Sequence, residues 1–238
     1  MWRALCVWLL MAGGADALTC ETLTFNDRSY TACTVDAGTE DLRLFLSADD
    51  GAPLGSFSAV AAEVAPLRLA FAMNAGMFHI DRAPVGLFIK DGEVVRDVVT
   101  SAGPGNFGLL PNGIFCIGEG FARVIETLTY RDTQPACRDA TQSGPMLVID
   151  GALHPRFLRD SASRNVRNGV GTSADGSTAV FVISNEPVTF HEFGTLFRDR
   201  FGTPQALYFD GNVSRLHAPA IGRDDFGVPL GPIVGVVE

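Results

Sequence analysis

Lysine is almost missing from this 238-residue chain. Lys90 stands alone against 17 arginines, and acidic side chains outnumber basic ones for a net charge of −9. That balance argues against the cationic footprint a nucleic acid requires. The arginine-for-lysine skew reads as coding bias and carries no mechanism. Metal-ligand spacings are missing too. No C-x-x-C occurs, and His79, His154, His191 and His217 show no H-x-x-x-H pattern, so no zinc site is expected. The nucleophile elbow G-x-S-x-G is absent as well. Gly171-Thr172-Ser173-Ala174-Asp175-Gly176 lacks its spacing and reads as a hairpin tip. A serine triad built on Ser143 and one of the histidines has no spacing to support it. There is no internal repeat, linker or low-complexity tract, so residues 18–238 read as one domain.

The longest uninterrupted apolar stretch lies at the N-terminus and is too short to span a bilayer comfortably. Arg3 precedes it, and Ala15-Asp16-Ala17 closes it, the pattern of a secretory signal cut after Ala17. A signal anchor is the alternative. The expected mature protein is periplasmic or secreted, with no stable membrane insertion. Cys6 falls in the leader, leaving Cys20, Cys33, Cys116 and Cys137. An even count in an exported chain suggests two disulfides, with three possible pairings. Cys20–Cys33 and Cys116–Cys137 are favoured, because each pair brackets a hairpin-like segment.

What is present suits a turn-rich, β-heavy domain: 47% hydrophobic residues together with 26 Gly and 13 Pro. Residues 21–26 and 29–35 alternate around Asn26-Asp27-Arg28 as a first hairpin. Strands follow at 42–46 and 67–73, with a short helix between them at 56–64. Segments 84–90 and 93–98 form a hairpin on Asp91-Gly92, and 114–117 with 121–125 form another. Strands at 146–149 and 178–184 come next. One clear helix begins at Thr189, whose capping box with Glu192 precedes a stripe of Phe190, Phe193, Phe197 and Phe201; Gly202 ends it. The stripe reads as core packing without a cofactor role. Gly103-Pro104-Gly105-Asn106-Phe107-Gly108 matches G-x-G-x-x-G, but Leu109-Leu110-Pro111-Asn112-Gly113 follows where a dinucleotide site needs a helix. These glycines therefore serve backbone geometry. The Gly- and Pro-rich tail to Glu238 is expected to wrap the surface.

Four polar clusters adjoin strands: 74–78, 142–145, 164–171 and 210–214. Turn chemistry accounts for Asn-Ala-Gly or Asp-Gly taken singly. It accounts less well for Gln142 and Arg167, which are not turn residues. The short apolar strand 206–209 runs straight into Asp210-Gly211-Asn212-Val213-Ser214, and the other clusters can be read as arranged around that junction.

Taken in order, Asn74-Ala75-Gly76-Met77-Phe78, Pro84-x-Gly86, Gln142-Ser143-Gly144-Pro145, Arg167-x-Gly169-x-Gly171 with Asp175-Gly176, and Asp210-Gly211-x-x-Ser214 resemble the phosphodiester glycosidase family. The resemblance runs from about residue 40 to the C-terminus and suggests a bacterial branch. It implies an α+β fold, a single domain with a curved, mostly antiparallel or mixed β-sheet and few helices. It also implies hydrolysis of a sugar-1-phosphodiester at the anomeric carbon. Here the leaving group is a phosphate whose conjugate acid has a pKa of about 6, so a strong general acid matters less than in a two-carboxylate glycosidase. On this reading Asp210 is the key carboxylate, Arg167 grips phosphate oxygens and Asn74 completes the catalytic set. Gly76, Gln142, Ser143, Gly144, Asn168, Gly211, Asn212 and Ser214 line the substrate pocket, with Asp81 and Glu186 as reserve carboxylates. The family often carries Asp-Gly-Gly-Gly-Ser, and Asn212-Val213 departs from it, so the sugar does not carry over. The partner is a glycan or sugar-phosphodiester substrate. No cofactor is required by this chemistry, although a divalent cation is compatible with it. Two other readings stay open: a non-catalytic binder of envelope polysaccharide, and a metal-dependent phosphodiesterase cutting P–O.

Overall fold

The computed structural model describes residues 18–238. The leader 1–17, with Cys6 and the expected cleavage after Ala17, lies outside the described residues. Three antiparallel sheets make the body of the domain. The first has seven strands in the order Thr19–Phe25, Arg28–Asp36, Thr178–Ser184, Asn168–Thr172, Gln205–Asp210, Met146–Ile149 and Ala152–Leu153. The second has five: Arg223–Asp224, Leu216–Ala218, Leu69–Asn74, Ile233–Val237 and Asp41–Phe45. The third, also of five, orders Glu93–Arg96, Phe88–Lys90, Asp139–Ser143, Gly113–Gly118 and Phe121–Glu126. The class is α+β.

One hydrophobic core is shared by all three sheets. Phe71 of the second, Phe115 of the third, and Phe181 and Phe209 of the first meet there. The Phe71–Phe181 ring centroids are 4.9 Å apart, and Phe115 sits edge-on to Phe181 at 5.6 Å. The outer face of each sheet is covered by one short helix. Phe193 and Phe197 pack on the seven-stranded sheet, Phe57 and Val60 on the second, and Tyr130 on the third. With both faces covered, alternate residues of a strand enter different cores: Phe181 and Ile183 point to the shared one, Val180 and Val182 to the outer one. That is why these strands read as unbroken apolar runs rather than as alternating ones.

The three hairpins, the Phe57–Glu63 helix capped by Ser56, and the Thr189–Glu192 capping box form as the sequence suggests. So do the disulfides Cys20–Cys33 and Cys116–Cys137. Three expectations need correction. The helix after Thr189 runs only through Phe190–Thr195, then widens into a π-helical turn at Leu196–Arg200 before Gly202. A further helix, Thr127–Thr133, is concealed by its threonines, which are weak helix formers, and is started by Glu126 accepting from Thr129 N at 2.9 Å. The tail runs over the surface only through residues 219–229, which are mostly exposed. Ile233–Val237 is a fully buried strand between Leu69–Asn74 and Asp41–Phe45, an apolar pentapeptide masked by the Gly-Pro residues before it.

Candidate active site

Strand ends from all three sheets converge at one place. Asn74 ends its strand in the second sheet, Ser143 in the third and Asp210 in the first, while Asn168 begins the strand paired with Asp210. Buried amides and hydroxyls stitch these ends together. Asn168 Nδ2 donates to Asn74 O at 2.7 Å and to Asn74 Oδ1 at 3.1 Å, and Arg215 N donates to the same Oδ1 at 2.9 Å. Ser214 Oγ lies 3.2 Å from Asn168 Oδ1 and 3.1 Å from Asp210 O. Ser143 Oγ donates to Phe209 O at 3.0 Å. Asn74, Asn168 and Ser143 are wholly buried. They hold the junction rather than face solvent, and no histidine hydrogen-bonds to Ser143; the bonded rings of His154 and His217 find partners elsewhere.

Asp210 sits where this network opens into a cavity of about 550 Å³, and Asn212 lies on the same wall. Asp210 Oδ1 accepts the Gly211 and Asn212 backbone N–H groups, the latter at 2.7 Å. Burial pushes the carboxyl above its ordinary value, outweighing these bonds, which favour the charged form. The Gln205–Asp210 strand bulges opposite Asn168 and Gly169, and Tyr208 and Asp210 both line the cavity. Gly169 permits the crossing, since a Cβ there would come within 2.4 Å of Leu207 O.

Arg167 stands behind this wall and is the largest fully buried side chain among the described residues. Its guanidinium donates to Val188 O at 2.9 Å, to Ser163 O at 3.2 Å and to the Tyr208 hydroxyl at 3.4 Å, and lies 3.7 Å over the Phe190 ring. Among the described residues no carboxylate pairs with it, and burial lowers its pKa. The arginine read as a direct phosphate clamp is thus separated from the cavity by Tyr208. Phe190, taken from sequence as simple packing, floors the guanidinium and meets Tyr208 edge-on at 4.8 Å.

The remaining residues singled out by sequence have structural partners. The Gln142 amide is fully engaged: Oε1 accepts from Leu87 N and Val99 N, both at 3.0 Å, and Nε2 donates to Val99 O at 2.7 Å and Thr127 Oγ1 at 3.1 Å. Gly76 lies against Thr141 and Gly144 against Asn112 and Phe107. Gly211 lies against the Tyr208 hydroxyl, which a Cβ there would approach to 2.2 Å. Asp81 and Glu186 are away from the cavity, Glu186 pairing with Arg28 at 3.2 Å. Sequence reading missed Tyr208, Met77, Phe78, Asn106 and Phe107 as lining residues. The last two belong to the glycine loop, which indeed opens no helix: Leu109 N turns back to Asn106 O at 3.2 Å. The signal for Tyr208 was its position two residues before Asp210 on a strand, hence on the same face.

A sheet-rich α+β domain with a buried carboxylate at the mouth of a small-molecule cavity is the class this geometry defines. The chain belongs to the phosphodiester glycosidase family, whose model matches residues 68–218. It is 31% identical over 217 residues, 90% of this chain and 83% of the other, to the uncharacterized protein YigE of Escherichia coli K12. In fold it is similar to the catalytic domain of zebrafish N-acetylglucosamine-1-phosphodiester alpha-N-acetylglucosaminidase, auto-inhibited by its pro-peptide. That match has a TM-score of 0.65 at 12% identity and covers 95% of this chain and 85% of that one. A putative exported protein from Burkholderia pseudomallei aligns with a TM-score of 0.56 at 13% identity, over 88% of this chain and 74% of the other.

Proposed function

We propose that this chain is an exported hydrolase that cleaves the anomeric C–O bond of a sugar-1-phosphodiester, releasing free sugar and a phosphomonoester. The observation that carries the reading is Asp210, 7% exposed, at the wall of a cavity of about 550 Å³ in a chain of this family. That volume suits a sugar and its phosphate. Water adds to the anomeric carbon, the C–O bond breaks, and the electron pair leaves with the phosphate. Because that leaving group is weakly basic, the protein's main task is to stabilise the oxocarbenium-like carbon, which a fixed carboxylate does well. The Asn74–Asn168–Ser214 network keeps the Asp210 turn in place, and Asn212, exposed on the cavity wall, contacts the sugar where the family often has glycine. The proposed reaction draws only on the chain's own side chains. Export rests on the leader and on two disulfides, which persist in oxidising compartments.

Hydrolysis of an activated sugar-1-phosphodiester in ¹⁸O-labelled water tests this. Label is expected in the sugar; label in the phosphate means P–O cleavage and sinks the proposal, as does tight glycan binding without product. Asp210→Asn is expected to lower turnover by about 10²–10⁴-fold.

A further inference from the structure

The cavity holds a second polar group that the catalytic reading leaves unused. Tyr208 reaches it from the same strand face as Asp210. Its hydroxyl accepts from Arg167 Nη1 at 3.4 Å, and Asn106 lines the same cavity. A phenol that accepts from a guanidinium has its own proton free to donate outward. Burial raises the Tyr208 pKa, with Arg167 and Asn106 pulling against it and Asp210 adding to it, so the proton stays on oxygen at neutral pH. Behind it, the Arg167 charge has three protein acceptors but no carboxylate. A buried cation without a counter-ion is costly, and an anion held nearby in the cavity would offset that cost. Gly211 completes the arrangement, because only a residue without a Cβ leaves room for the hydroxyl.

We propose that the Tyr208 hydroxyl, backed by the Arg167 guanidinium, is the anion-binding element of this cavity and donates to a non-bridging phosphate oxygen. The assignment of that anion as the phosphate of the substrate rests on the hydrolase reading above. Arg167 is then a positioning residue. It orients the phenol and supplies positive potential without touching the ligand. Its charge also counters the repulsion between Asp210 and a phosphodiester.

The test is calorimetric titration of the full mature chain with inorganic phosphate, with methyl phosphate and with the free sugar. Tyr208→Phe keeps the ring that packs on Phe190 and removes only the hydroxyl. It is expected to weaken both phosphates at least tenfold while sugar binding changes less than twofold, and to raise KM for a sugar-1-phosphodiester more than it lowers kcat. Gly211→Ala, which displaces the hydroxyl sterically, is expected to do the same and serves where Tyr208→Phe does not fold. Phosphate binding equal to that of the parent in either folded variant overturns the proposal, and so does a parent chain that binds no phosphate. Tyr208-dependent phosphate binding without hydrolysis of any sugar-1-phosphodiester would leave this inference standing and remove the hydrolase reading instead.

Discussion

Asp210 is caught between two opposed effects. Burial disfavours its ionised form, the Gly211 and Asn212 N–H groups favour it, and burial is the larger. Its folded-state pKa therefore lies above the unfolded one. Between those two values the folded state binds more protons than the unfolded chain, so stability from this group is full at low pH and is lost as pH rises through the folded pKa. Once ionised, the carboxylate proposed to serve catalysis destabilises the fold. Asp210→Asn, whose amide oxygen can still accept the same N–H groups, is expected to melt at or above the parent temperature near pH 7.5. Toward lower pH, as the carboxyl takes up its proton, that advantage should shrink. Paired thermal melts read this directly, and a variant melting several degrees below the parent at the higher pH would show that Asp210 is a structural turn residue. Asp210 itself was legible, because a carboxylate directly after four apolar residues stands out. Tyr208 was not, because a tyrosine between Leu207 and Phe209 looks like one more core residue until strand parity with Asp210 is considered.

At the scale of elements, Gln142 shows how a correct motif can conceal its physical purpose. Its amide fastens the Phe88–Lys90 strand and the segment at Val99 to the Thr127–Thr133 helix through four hydrogen bonds, and Gly86 has no Cβ because Gln142 Oε1 would lie 2.4 Å from it. With its bonding capacity filled by the protein, the amide has little left for a sugar. Gln142→Ala leaves the Leu87 and Val99 N–H groups without their acceptor, at a cost of roughly 2–4 kcal/mol. The expected outcome is a lower urea midpoint with near-parent KM at a temperature where the variant is folded. A raised KM with unchanged stability would return Gln142 to the substrate. The hairpins and the capping box were readable because their signals are local. The Thr127–Thr133 helix was not, because its stability comes from Tyr130 packing under the third sheet rather than from propensity.

For the molecule as a whole, the pairings between distant segments were beyond sequence reading. Nothing in residues 233–237 announces that they slot between strands at 69–74 and 41–45 and close the second sheet. The disulfides show the opposite case, since hairpin logic selected the pairing that forms. Their contributions should differ. Cys20–Cys33 joins directly paired residues of an edge hairpin that the strand ladder already holds. Cys116–Cys137 closes a segment of sequence separation 21 that contains the Thr127–Thr133 helix. Loop-closure entropy for a segment of that length is worth about 3 kcal/mol, or roughly 6–12 °C in Tm for a chain of this size. Cys116→Ala with Cys137→Ala is therefore expected to lower Tm by that amount, and Cys20→Ala with Cys33→Ala by less. None of the four bridged cysteines lines the Asp210 cavity, so both variants should keep parent kcat/KM when assayed well below their melting points. Equal Tm losses for the two pairs would mean that the first hairpin depends on its bridge as much as the third sheet does on its own.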